Sequence, residues 1–154
     1  MIANKLKQLK PPYLFAGIGN VLKGDDGLGP EIIRKLRSEV SFSLIECGEV
    51  PENYLKQITN HKSGSIVFVD AVDMGKDPGE AELLDVNQLL QTGMFTHGMS
   101  LNMMIDYVKK ETDADIYLLG VQPKAIDFGG DFSAEVSKAV DDVVSEIKKL
   151  DGKK

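Results

Sequence analysis

Gly17-Ile18-Gly19-Asn20-Val21-Leu22-Lys23-Gly24-Asp25-Asp26-Gly27-Leu28-Gly29-Pro30 is the stretch from which the rest of the chain can be read. An apolar segment, Tyr13-Leu14-Phe15-Ala16, precedes it and has the length of a buried strand. Pro30 opens a pattern that puts Ile32, Ile33, Leu36 and Val40 on one helical face, and proline suits the first turn of a helix. The stretch is therefore a strand–loop–helix joint, with glycines that allow backbone conformations a Cβ forbids. In an open α/β sheet, ligands collect at such a joint, just past the carboxyl end of a strand. The pair Asp25-Asp26 sits in its middle. Gly17 and Gly19 start a G-x-G, but no third glycine follows at dinucleotide spacing and no G-K-[ST] is present. A plain tight turn with solvated aspartate caps is the simpler reading of the joint taken alone.

Downstream, strands and helices alternate. Ser41–Cys47 reads as a strand ended by Gly48, and Pro51-Glu52-Asn53 starts a short helix carrying Tyr54, Leu55 and Ile58. Ser65–Val69 is a continuous β-branched and aromatic run, as in a strand covered on both faces, and it stops at Asp70. Glu82–Val86 reads as a short edge strand with antiparallel pairing. A helix from Ser100 to about Lys110 buries Leu101, Met104, Ile105 and Val108, and Asp115–Gly120 is a further buried strand. Phe128-Gly129-Gly130 reads as an ordinary turn. Ser133 caps a last helix with Val136, Val140, Val143, Ile147 and Leu150 at helical spacing. This order predicts a three-layer α/β/α sandwich around a mostly parallel sheet of about five strands. Residues 13–150 form the single domain, residues 1–12 a mobile or loosely docked basic arm, and residues 151–154 a tail.

A net charge of −6 on 154 residues argues against a nucleic-acid or anionic-membrane surface. No apolar run is long enough to cross a bilayer, and the N-terminus lacks a signal-peptide core. One cysteine, Cys47, excludes an internal disulfide framework and suits a reducing cytoplasm. It ends an apolar strand, where free thiols are usually inert.

The predicted topology brings the segments after the strands to one sheet edge. Asp26 follows the first strand, Asp70 ends the third, and His97 lies in the loop after the fourth. Two carboxylates and an imidazole can hold a divalent ion such as nickel, zinc or iron and leave positions open for chemistry. Against this, a lone loop histidine is more often a surface or capping residue. Asp25 and Asp73 neighbour the candidate ligands, and turn capping is the simpler role for both. His61 has no acidic pattern beside it and is read as structural.

At these residues the sequence resembles the endopeptidases that mature [NiFe] hydrogenases, in particular the branch serving the formate-hydrogenlyase (hydrogenase 3) type. The resemblance is carried by the joint at 17–30, P-E-N at 51–53, I-V-F-V-D-A-V-D-M-G-K-D-P-G-E at 66–80, T-H-G-M-S-L-N-M-M-I-D at 96–106 and L-L-G-V-Q-P at 118–123. It implies one cut that removes the C-terminal extension of a hydrogenase large-subunit precursor, made only once nickel is in the precursor. It implies that Asp26, Asp70 and His97 recognise that nickel, which the precursor carries and the free enzyme does not hold tightly. A monomeric cytoplasmic protein is expected. Cys47-Gly48-Glu49-Val50 stands where many members have D-G-G and a small residue, and no role is carried over to that segment. Two other classes share the sequence features. One is a non-catalytic nickel-handling or chaperone protein using the same three residues. The other is a flavodoxin-like nucleotide-binding domain.

Overall fold

The computed structural model describes residues 2–85, 88 and 101–152. Its sheet is built from β1 (Tyr13–Ile18), β2 (Ser43–Gly48), β3 (Ser65–Ala71), β4 (Ala81–Asp85) and β5 (Asp115–Val121). The strand order is β2-β1-β3-β5-β4, parallel throughout except for β4, which runs antiparallel to β5 at the edge. The helices are α1 (Ile2–Leu6), α2 (Leu28–Leu36), α3 (Leu55–Asn60), α4 (Leu101–Glu111) and α5 (Ala134–Lys148), with 3₁₀ turns at Gly24–Gly27, Pro51–Tyr54 and Lys149–Gly152.

The central strands are apolar at successive positions because both faces of the sheet are covered. Phe15, Val67, Val69, Leu119 and Val121 point to one face and pack with residues of α1, α2 and α5. Leu14, Ala16, Ile18, Ile66, Phe68, Ile116 and Leu118 point to the other and pack with α3 and α4. The result is the three-layer α/β/α sandwich that strand–helix alternation implies.

The structure adjusts several boundaries. The helix expected to open at Pro30 starts two residues earlier, because the 3₁₀ turn runs directly into it through Leu28 at φ −64° and ψ −34°. It ends at Leu36, and Ser38 then takes a left-handed φ of +68°, which a helix cannot continue through. Val40 lies beyond the helix but still packs on the same core. Val86, Ser100 and the side chain of Leu101 lie outside the described residues.

The N-terminal segment is docked, contrary to the expectation of a loose basic arm. Leu6 is 2% exposed and Leu9 5%, both within the core under α5. Lys5 Nζ lies 3.1 Å from Glu82 Oε2, and Lys10 Nζ lies 3.5 Å from Asp115 Oδ2. Exposed pairs of this kind contribute little, so the buried leucines hold the segment down. Its lysines masked two leucines spaced for one apolar face. No helix among the described residues is long and apolar enough to cross a membrane.

Candidate active site at the switch point of the sheet

After β1 the chain moves outward to β2, then returns to the other side of β1 as β3. Connections therefore leave β1 and β3 in opposite directions and open a crevice at their carboxyl ends, where doubly wound sheets take their ligands. Asp26 and Asp70 belong to this crevice. Asp26 is in the 3₁₀ turn after β1, only 5% exposed, and its Oδ2 accepts a hydrogen bond from the backbone N–H of Asn20 at 3.0 Å. Asp70 is fully buried near the end of β3, opposite Gly120 of β5. The 3₁₀ turn rests against β3.

The glycines of the joint permit this proximity. A Cβ on Gly29 would lie 2.5 Å from the carbonyl oxygen of Val69, the residue before Asp70. A Cβ on Gly17 would lie 2.5 Å from the carbonyl oxygen of Gly29. The start of α2 thus sits directly on the ends of β1 and β3, an approach that any side chain at these positions prevents.

His97, the third residue expected at the site, lies outside the described residues. Among the described residues no group of three or more His, Cys, Asp or Glu side chains is arranged to hold a metal ion. The expected ligand set includes His97, so its described members are Asp26 and Asp70.

Asp25 does far more than cap its own turn. Its side chain has no solvent exposure and accepts hydrogen bonds from Lys124 N (2.8 Å), Ala125 N (3.1 Å), Ser133 N (2.7 Å) and Ser133 Oγ (2.8 Å). Its own N–H donates to Ala125 O at 2.9 Å. One carboxylate thereby fastens the loop after β1 to the loop after β5, bridging over the end of β3. Burial pushes its pKa up, but the hydrogen bonds from Ser133, Ala125 and Lys124 outweigh burial and hold it below the ordinary carboxylate value. Ser133 both donates to Asp25 and caps α5, accepting from Val136 N at 3.3 Å. Gly24, at φ +54°, lets the turn press against this loop, since a Cβ there would lie 2.8 Å from Ala125 O.

Gln122 fastens the loop that follows Asp70. Only 7% exposed, it accepts at Oε1 from Met74 N (2.6 Å) and Lys76 N (3.2 Å) and donates from Nε2 to Asp73 Oδ1 (3.1 Å). Asp73 also accepts from Gly75 N at 3.1 Å, which is the turn-capping role expected of it. Both carboxylate-bearing segments are thus held by groups from the loop after β5. Sequence reading missed Gln122 and the reach of Asp25. The one available signal was a polar glutamine at the end of an apolar strand, since nothing local links residue 25 to residue 133.

Cys47 is 2% exposed at the β-bulge opposite Gly17/Ile18, and burial together with the Glu46 charge pushes its thiol up to about 12. A thiol so buried stays protonated near neutrality, which fits the inert role expected of it. His61 meets only Ser43, with Nδ1 3.3 Å from its hydroxyl, in keeping with a structural role. A groove of about 520 Å³ between α1, β4 and α5 contains neither Asp26 nor Asp70. We place the site by the switch point and its carboxylates, not by the size of that groove.

An α/β/α sandwich with buried carboxylates at its switch point defines a class of enzyme-like folds, within which comparison with other proteins is specific. A family model described as hydrogenase maturation protease (HycI) matches residues 30–150. The hydrogenase 3 maturation protease of Escherichia coli is 31% identical over 88% of this chain and 88% of its own. A Methanocaldococcus jannaschii protein given the same family name is 34% identical over 96% of this chain and 92% of its own. The crystal structure of a [NiFe] hydrogenase maturation protease from Thermococcus kodakarensis superposes with a TM-score of 0.86 at 29% identity, covering 97% of this chain and 98% of that one. The chain belongs to the hydrogenase maturation proteases, and it is a hydrolase of the endopeptidase type.

Proposed function

We propose that this endopeptidase removes the C-terminal extension of a [NiFe] hydrogenase large-subunit precursor after nickel insertion, with Asp26, Asp70 and His97 recognising the nickel the precursor carries. The observation that carries the reading is the burial of two carboxylates, at 5% and 0% exposure, in the switch-point crevice of a family member. Carboxylates withdrawn from water favour a cation strongly, because little solvent competes for their charge. Nickel bound by precursor thiolates offers that charge and has coordination positions for oxygen and imidazole donors. Docking by the metal also accounts for gating. A precursor without nickel forgoes the bridging interactions, and each tenfold preference corresponds to about 1.4 kcal/mol.

Hydrolysis follows at the docked peptide bond. Water adds to the carbonyl carbon, and either a carboxylate of the crevice takes its proton as general base or the nickel carried by the precursor activates the water or the carbonyl. The C–N bond then breaks, and the leaving amine takes up a proton. The protein acts in the cytoplasm as a monomer.

The test is a mass-spectrometric processing assay with nickel-loaded and nickel-free precursor. Loss of a C-terminal peptide in the loaded sample alone is expected. Asp26→Asn, Asp70→Asn and His97→Ala should keep the circular dichroism of the fold and lose processing by at least about a hundredfold, the scale of removing a general base or a charge-stabilising group. Binding without cleavage in both samples overturns the peptidase reading in favour of a nickel-handling protein. Cleavage of both precursors removes the metal-recognition role of the three residues.

A further inference from the structure

Seven large apolar side chains are exposed among the described residues, and five of them, Val21, Leu22, Val50, Ile126 and Phe128, sit on the loops after β1, β2 and β5. All three loops are on the carboxyl edge of the sheet, beside the crevice. Leu22 is 65% exposed and Phe128 74%, values at which a side chain gains nothing from the fold itself. Their loops are nonetheless fixed. Gly129 N donates to Leu22 O at 2.9 Å, Gly19 N donates to Gly48 O at 2.8 Å, and Asp25 fastens the loop after β1 to Lys124, Ala125 and Ser133. An exposed apolar patch on a fixed backbone marks a binding surface.

We infer that this patch receives a stretch of the precursor polypeptide beside its scissile bond, one that presents large apolar side chains and a carboxylate. The inference rests on the peptidase reading above. Continuity with the crevice argues for the substrate as occupant, since Val21 and Leu22 share one short loop with Asp26. Charge argues for the carboxylate. Lys23 Nζ stands 5.5 Å from the centre of the Phe128 ring, which places a cation within the patch of a chain whose net charge is −6. An acidic group flanked by apolar side chains on the substrate meets Lys23 and the apolar residues of the patch together. The surface adds affinity that is independent of nickel, while the crevice supplies the nickel-dependent part.

The two contributions separate in a binding experiment on the full chain with nickel-loaded and nickel-free precursor. Leu22→Ser combined with Phe128→Ser should weaken binding of both precursors by about a hundredfold, the product of two lost apolar contacts of about tenfold each, and leave the ratio between them unchanged. Ile126→Ser serves as an independent variant and should weaken both by about tenfold. Lys23→Glu should weaken both and make the remaining affinity less sensitive to salt. Asp26→Asn should instead lower the ratio between the two precursors.

Unchanged affinity of the folded double variant for both precursors overturns the inference and leaves the peptidase reading standing. So does sedimentation of the wild-type chain as a dimer that the double variant dissolves, because the patch is then a contact between copies. A wild-type chain that binds neither precursor defeats the peptidase reading and the inference with it.

Discussion

Asp25→Ala removes the acceptor of four hydrogen bonds at 2.7–3.1 Å and leaves Lys124 N, Ala125 N, Ser133 N and Ser133 Oγ without it. A hydrogen bond to a charged acceptor is worth about 1.5–3 kcal/mol, and an abandoned buried donor costs about 1–3 kcal/mol. The four are not additive, because they share one carboxylate and water enters the space it vacates. A net loss of about 4 kcal/mol is expected, a large part of the roughly 5–15 kcal/mol that holds a domain together. At about 2–4 °C per kcal/mol for a chain of this size, the midpoint of thermal unfolding should fall by about 10 °C.

Asp25→Asn is the finer probe. Its carbonyl can take over the three bonds at Oδ2, but its amide then faces the N–H of Ser133, donor against donor. It should lose about half as much, roughly 2 kcal/mol. The gap between wild type and this variant also depends on pH. The folded protein holds the Asp25 carboxyl below its ordinary value, so its stabilisation is complete above about pH 3.9 and disappears as pH falls further, through the folded pKa. Urea unfolding at pH 7 and at several acidic values measures both effects. A loss below about 1 kcal/mol for Asp25→Ala, or a gap for Asp25→Asn that fails to narrow in acid, refutes the view of Asp25 as a charged clasp between two loops.

Cys47→Ala should process precursor at the wild-type rate, lose about 1 kcal/mol of stability from the small cavity, and show that no thiol chemistry operates. With its pKa pushed up to about 12, the native thiol should resist alkylation at pH 8 and react only on unfolding, as followed by intact mass. Gly29→Ala puts a methyl group 2.5 Å from Val69 O and should cost at least about 1–3 kcal/mol, with a fall in processing measured per folded molecule as α2 is lifted from the end of β3. Leu6→Ala should cost about 2–5 kcal/mol in urea unfolding, whereas an undocked N-terminal arm would give no measurable change.

Much of the fold was legible because it rests on local rules. The apolar runs Tyr13–Ala16, Ser65–Val69 and Asp115–Gly120 fall within three adjacent strands of the sheet, each one or two residues longer than the run, and the spacing of Val136, Val140, Val143 and Ile147 forms the inner face of α5. The Ser133 cap follows from its position before that pattern. The antiparallel edge strand was legible too, from its short length and the turn before it. The N-terminal docking was not, because Leu6 and Leu9 are too few to give a period and charged neighbours surround them.

For the site, the sequence by itself determined which residue types are available. It also determined that Asp26 follows a buried strand and that Asp70 stands near the end of one, because the apolar run of a strand is written in its own composition. The tertiary structure decided what those residues share. Strand order puts β1 beside β3 and opens the crevice between them, and strand order depends on contacts between segments far apart in the chain. It also decided that Asp25 bonds to Ser133, 108 positions away, and that Gln122 reaches back to Asp73. Such pairings depend on where two loops meet above a finished sheet. A local sequence window cannot specify that meeting, because its energy exists only once the intervening strands have packed.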